Sequence, residues 1–387
     1  MTERVVVAPD KFKGTISAAE VAERVARGLA VGGFAGETLL LPMADGGEGT
    51  VAASIAAGFR RVELGVRGPV GKPVTASFGL RDGTAIIEAA QACGLSLLAP
   101  DALAPLTATS RGVGELVLTA VRMGAKIIVL GVGGVATTDG GAGLTQALGV
   151  RLINAHGREL PPGGAALGGV SELDLTRLRD LSSVEFLLAS DVDNPLLGPT
   201  GAAAVYGPQK GATAADVQLL EAGLERWAEA AETAIAERFP ERPAAEIEAI
   251  RNSPGAGAAG GLGFAAMLFL GARMRPGIEL LLEFAQFKTQ VEGARLVITG
   301  EGSLDHQTLH GKAPVGVARA TAAADPSIPV VAVAGRCTLT EDELRAAGIA
   351  RAYTLTDIEP DLERCLAVPG PLVERLAERI AADWLGG

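Results

Sequence analysis

Short apolar runs recur along the chain, and stretches with helical spacing lie between them. The runs are VVVAP (Val5 to Pro9), TLLLP (Thr38 to Pro42), TAIIEA (Thr84 to Ala89), KIIVL (Lys126 to Leu130), VEFLLA (Val184 to Ala189), RLVIT (Arg295 to Thr299) and PVVAVA (Pro329 to Ala334). Most lack strict alternation of apolar and polar positions, the pattern of strands covered on both faces, and so of a mostly parallel sheet between helices. Ser17-Ala-Ala-Glu20 reads as a capping box, with Val21, Val25 and Leu29 following at helical spacing. Thr213 opens a longer helix whose apolar face is Val217, Leu220, Leu224, Trp227, Ala231 and Ile235, ending near Phe239-Pro240. That face is core packing.

Clean strand-loop-helix units occupy the first and last thirds, while the middle holds Gly-rich loops and the longest helices. A domain inserted in a loop of another accounts for this, because domain termini tend to lie close together. The expected partition is a discontinuous domain of residues 1–74 and 289–387, an insert of residues 75–288, and an active site in the cleft between them. The Gly-rich segment from Gly255 to Gly263 is expected to serve as a hinge or a packing loop. Ser253 to Ala272 is long enough to cross a membrane, but its Pro254 and six glycines make it a turn feeding a buried helix.

At 387 residues with 48% apolar and 20% charged positions, the chain has ample surface to bury, which excludes disorder. Its net charge of −11 carries no basic stripe, so neither nucleic acid nor a membrane surface is an expected partner. Cys93, Cys337 and Cys365 are far apart and form no C-x-x-C, against a disulfide framework or a structural zinc site. MTERVVVAPD has no signal-peptide pattern, and the cytoplasm is the expected compartment.

The chemistry gathers where strands end. VVVAPDKFKG, LLLPMADGGEG, IIVLGVGGVATTDGG, FLLASDVDN and LVITGEGSLD each put acids and glycines just past an apolar run. In open α/β sheets ligands bind outside the carboxyl ends of strands, so these ends are expected to build one site. Asp45, Glu48, Asp191, Glu301 and Asp305 together would repel an anion, which implies that some hold a hard cation, Mg²⁺, shared with phosphates. Lys11 and Lys13 are placed to neutralise phosphoryl oxygens. Gly133, Gly134, Thr137, Thr138, Asp139, Gly140 and Gly141 read as an anion cradle of backbone N–H groups and hydroxyls ahead of a helix, with Gly46 and Gly47 as a second such loop. Ser110 and Arg111, just before a helix expected to start near Gly114, suit a small carboxylate. These parts point to phosphoryl transfer. Gly131 to Ala136 also reads G-x-G-x-x-A after a strand, which keeps an NAD(P)-dependent hydroxy-acid dehydrogenase in view, although the neutral LINAH stands where an acid should follow. A non-catalytic sensor on the same scaffold is the other alternative. No P-loop, zinc-peptidase or nucleophile-elbow motif is complete.

Taken together, VVVAPDKFKGTISA, PMADGGEGT, GVGGVATTDGGAG, ASDVDNPLLGPTGAAAVYGPQKGA, GAGAAGGLGF and VITGEGSLDHQT followed by GKAP resemble the type I glycerate kinases, in order and over nearly the entire chain. The resemblance implies two α/β domains with mostly parallel sheets, the second inserted into a Rossmann-like first. It implies ATP-dependent phosphorylation of D-glycerate to 2-phosphoglycerate, with 3-phosphoglycerate or a related hydroxy acid as alternatives. The expected cofactors are ATP and Mg²⁺, the expected partners small molecules, and a homodimer is allowed for. On this reading Ser110 and Arg111 meet the substrate carboxylate, with Asp10, Asp193 and Asn194 nearby. Asp191 takes the proton from the reacting hydroxyl. Lys11 and Lys13 stabilise the transferring group, the glycine loops hold the nucleotide, and Asp45, Glu48, Glu301 and Asp305 hold the metal.

Overall fold

The computed structural model describes residues 3–386. Among the described residues thirteen strands run in chain order: β1 (Arg4–Pro9), β2 (Glu37–Leu40), β3 (Arg60–Arg67), β4 (Pro73–Arg81), β5 (Thr84–Glu88), β6 (Ile127–Gly131), β7 (Arg151–Asn154), β8 (Val170–Asp174), β9 (Glu185–Ala189), β10 (Arg273–Arg275), β11 (Leu296–Leu304), β12 (Val330–Cys337) and β13 (Arg351–Thr354). The fold is α/β with mostly parallel sheets, as the apolar runs predict. All seven predicted strands are present, within a few residues at their ends.

The chain divides into two compact units. The first takes the residues up to Asp45, Ala52–Gly58 and those from Pro276 onward; the second takes Gly46–Val51 and Phe59–Arg275. The sequence places the borders at 74/75 and 288/289. The Gly- and Pro-bearing residues 68–72 form the turn joining β3 to β4, whose antiparallel pairing keeps both strands in one sheet. Gly255 to Gly263 lies inside the second unit, so it serves packing and is no hinge at the border.

The first unit holds a five-stranded sheet, β13-β12-β11-β1-β2, parallel throughout. Val6 and Ala8 face one apolar core and Val5 and Val7 the other, which is why β1 shows no alternation. From β1 the chain moves outward to β2, and from β11 it moves the opposite way to β12 and β13. The strand order therefore reverses between β1 and β11, the switch point where open α/β sheets leave a crevice.

The second unit holds a six-stranded sheet, β10-β9-β6-β5-β4-β3, parallel from β10 to β5 and antiparallel from β5 to β3, with β7 and β8 paired separately. Phe78, Ile87, Ile128 and Leu130 share a core with Leu116 and Val117 of the helix Arg111–Arg122. Each fully buried side chain of this kind contributes about 1.5–3 kcal/mol. The helix Ala214–Arg238 buries Leu220, Leu224, Trp227, Ala231 and Ile235 as its spacing predicts, under a capping box of Thr213 with Asp216. In the first unit Ser17 accepts from Glu20 N at 3.2 Å, but the Glu20 carboxylate turns to Arg24 at 3.7 Å, so the capping seen there is Ser17's. All three cysteines are free, and no helix among the described residues is long and apolar enough to cross a membrane.

Candidate active site

At the switch point of the first unit the register sets Pro9 beside Gly300, so Asp10 and Glu301 leave neighbouring strand ends together. Asp10 N donates to Gly300 O at 2.8 Å, and its Oδ1 accepts from Lys11 N at 2.6 Å with the Lys11 ammonium 3.8 Å away. Burial pushes the Asp10 carboxyl up to about 7; Lys11 opposes this, and Asp45 and Glu301 add to it. Glu301 is raised too, first by burial and then by Asp305 and Asp45, against a hydrogen bond from Thr308 and the Lys312 charge. Thr308, wholly buried, donates its hydroxyl to Glu301 Oε1 at 2.5 Å and accepts from Asp305 N at 3.1 Å. Asp305 spends Oδ1 on Gln307 N at 2.9 Å, shaping this turn. Lys13 is exposed.

The expected metal ligands are thus divided by the partition: Asp45, Glu301 and Asp305 belong to the first unit, Glu48 to the second. Among the described residues no three His, Cys, Asp or Glu side chains are grouped to hold a metal by themselves. Mg²⁺ is ordinarily bound through one or two carboxylates plus substrate phosphates and water, so the raised carboxyls of Asp10 and Glu301, with the Asp45 charge acting on both, still fit it.

In the second unit the loop Gly46–Val51 lies against the ends of β5, β6 and β9. A Cβ on Gly46, at φ +94°, would meet Ala189 O at 2.8 Å; one on Gly131 would meet Gly46 O at 2.5 Å, and one on Gly133 would meet Gly47 Cα at 2.6 Å. Glu88 at the end of β5, 1% exposed, anchors the loop by accepting from Gly49 N and Val51 N at 3.2 Å each. The glycines of the G-x-G-x-x-A stretch therefore make room for protein backbone, which removes the geometric basis of the dinucleotide reading.

The expected anion cradle splits. Gly133 and Gly134 reach solvent, but Thr137 through Gly141 are interior. Asp139 accepts from Ser110 N at 2.8 Å, Ser110 Oγ at 2.9 Å, Gly141 N at 3.1 Å and Gly143 N at 3.2 Å, while Gly140 O accepts from Trp227 Nε1 at 3.0 Å. Thr137, Thr138, Asp139, Gly140 and Gly141, expected as nucleotide ligands, thus lie in the interior, where Asp139 and Gly140 bind groups of the protein itself. Ser110, expected at the substrate carboxylate, is likewise wholly buried, and its hydroxyl also accepts from Leu144 N at 3.0 Å. The helix begins at Arg111, not near Gly114, so Arg111 stands in its first turn. Its Nε is buried without a hydrogen bond, 3.9 Å from Glu115 Oε1, and burial and the Arg67 charge pull its pKa down. Glu115 Oε1 lies 3.5 Å from Arg67 Nε and 3.9 Å from Arg111 Nε, so the two guanidiniums already share one carboxylate.

Asp191 and Asp193 are exposed on the loop after β9. Asn194 braces that loop, accepting from Tyr206 OH at 2.5 Å and donating to Thr200 O at 2.8 Å, so its amide is already engaged. The sequence reading missed Glu88, Lys210 and Thr308. Glu88 ends an apolar run just as the other acids do, but no glycine follows it; Lys210 and Thr308 lie inside the resembling blocks without a chemical signature of their own.

The comparisons with known proteins agree over most of the chain. The model of the glycerate kinase family matches residues 5–385. The chain is 43% identical over 384 residues to the Glycerate kinase of Bacillus subtilis, covering 98% of this chain and 97% of that protein. It is 42% identical over 344 residues to the Glycerate 2-kinase of Escherichia coli, covering 88% and 86%. A crystal structure from Salmonella typhimurium LT2 assigned as glycerate kinase 2 is similar at a TM-score of 0.80 and 38% identity, covering 99% of this chain and 98% of that one. With its parallel sheets and acid-bearing strand ends set beside these likenesses, the chain belongs to the glycerate kinase family.

Proposed function

We propose that the chain transfers the γ-phosphoryl group of ATP to the 2-hydroxyl of D-glycerate, giving 2-phosphoglycerate and ADP. The choice of hydroxyl rests on one observation, the similarity to the Escherichia coli protein named Glycerate 2-kinase. In this reading Arg111 pairs with the substrate carboxylate, a planar fork matched to a planar anion. Asp191, in solvent at the end of β9, takes the proton from the 2-hydroxyl as its oxygen forms the bond to phosphorus. The bond from the γ-phosphorus to the bridging oxygen breaks, and that oxygen leaves with ADP. Lys11 and Lys13 offset charge on the phosphoryl oxygens. The accessible backbone of Gly47, Gly133 and Gly134 is offered to the nucleotide.

Asp45 and Glu301 would hold Mg²⁺, with Asp10 adding its field; the mutual strain of these carboxylates is the feature that fits a divalent cation. When bound, the ion neutralises phosphate charge and orients the transferring group. Catalysis of this type is mostly positioning and electrostatics, which agrees with a site whose buried polar groups are held by backbone donors.

The test is a ³¹P NMR time course with D-glycerate, ATP and Mg²⁺ against both authentic phosphoglycerates. A 2-phosphoglycerate signal growing with ADP is expected, and omission of Mg²⁺ should abolish it. A 3-phosphoglycerate signal overturns the regiochemistry; no product overturns the substrate.

A further inference from the structure

Asp139 is buried deep in the second unit, 1% exposed, and yet it is a carboxylate. It ties two helices together. Through Oδ2 it holds both the backbone N–H and the hydroxyl of Ser110, at 2.8 and 2.9 Å, and Ser110 is the residue that leads into the helix Arg111–Arg122. Through both oxygens it takes Gly141 N and Gly143 N, at the start of the helix Ala142–Ala147. Space around the knot is closed: a Cβ on Gly143 would lie 2.3 Å from Thr109 Oγ1 and 2.9 Å from Asp139 Oδ2. A second buried charge supports it. Lys210, 2% exposed, donates Nζ to Thr137 O at 2.5 Å and approaches Thr138 Oγ1 at 3.5 Å, so it pins the two residues that precede Asp139.

A single buried carboxylate is costly, and this one is matched by four donors and a nearby ammonium. A neutral side chain accepts fewer of those donors, so the charge sets geometry as well as occupying space. The residue downstream of this anchored backbone is Arg111, whose buried Nε makes no hydrogen bond within the protein. We propose that Asp139, with Lys210 as its counter-charge, is a positioning residue that fixes where the Arg111 guanidinium is presented to the substrate carboxylate. The inference rests on the reading of Arg111 given above.

The experiment is steady-state kinetics on the full chain in a two-by-two cycle, with Asp139→Asn and Arg111→Lys made singly and together. Asp139→Asn is expected to raise KM for D-glycerate by about tenfold or more, a modest share of what an ångström of misplacement can cost, and to leave KM for ATP nearly unchanged. On the Arg111→Lys background it should add almost nothing, because both changes act through one contact. An additive effect, or one on both substrates alike, overturns the proposal and leaves Asp139 a stability residue. If Arg111→Lys by itself leaves KM for D-glycerate unchanged, the reading of Arg111 is what fails, and the inference falls with it. Should Asp139→Asn not fold, Lys210→Met keeps every donor to Asp139 and removes the counter-charge together with its bonds to Thr137 O and Thr138 Oγ1. It should raise the same KM in the wild-type background and not in Arg111→Lys, and equal effects in the two backgrounds overturn the proposal.

Discussion

Ser110→Ala separates a ligand from a scaffold. In the sequence Ser110 looks like a group for the substrate carboxylate, whereas in the fold it is wholly buried between two helix starts. Alanine removes the acceptor of Leu144 N, a 3.0 Å bond, leaving a buried N–H unsatisfied at a cost of about 1–3 kcal/mol. It also removes the 2.9 Å hydroxyl bond to the Asp139 carboxylate, and hydrogen bonds to charged groups are worth about 1.5–3 kcal/mol. The backbone bond from Ser110 N to Asp139 survives, and relaxation recovers part of the loss, so the expected destabilisation is about 2–5 kcal/mol. Urea unfolding followed by circular dichroism reads this as a lower midpoint at unchanged m. A stability loss below about 1 kcal/mol together with a higher KM for D-glycerate would refute the reasoning and return Ser110 to the substrate.

Burial pulls Lys210 from 10.5 down to about 8. A group depressed on folding contributes stability above its unfolded pKa and loses it as pH falls through the folded one, so stability should gain about 3 kcal/mol between pH 8 and 10.5 from this residue. Lys210→Met should flatten that rise in pH-dependent unfolding, and parallel profiles for the two proteins would count against the burial described here. Asp191→Asn should lower kcat by about 10²–10⁴ with KM for both substrates little moved, the usual worth of a general base; near-normal turnover removes Asp191 from that role.

Most strands legible in the sequence are buried on both faces, the edge strand β2 excepted. VVVAP and PVVAVA need no partner to be recognised, because each residue is apolar whichever side it takes. The strands that escaped are of another kind. β3, RRVELGVR, is largely exposed and interleaved with charges, while β10 is three residues, Arg273–Arg275, held by pairing with β9. Their identity as strands comes from neighbours distant in sequence, and a local pattern cannot carry it. The unit border near Phe59 was missed for the same reason, since β3 and β4 join the second unit by pairing through to β5.

The acids past the strand ends show what a motif leaves open. Asp139 and Asp10 both follow an apolar run, both are buried, and burial raises both. What differs is the surroundings. The influences opposing burial at Asp139 are led by hydrogen bonds from Ser110, Gly141 and Gly143, and its charge also interacts with that of Lys210, so it is satisfied from within. At Asp10 and Glu301, neighbouring carboxylates add to the effect of burial, with Asp45 acting on both. A carboxylate ringed by donors has no need of a cation, whereas clustered carboxylates that repel one another create that need. The demand for positive charge therefore falls at the carboxyl ends of β1 and β11, where the order of the parallel sheet reverses, and not on the glycine loop that advertises an anion site most openly in the sequence.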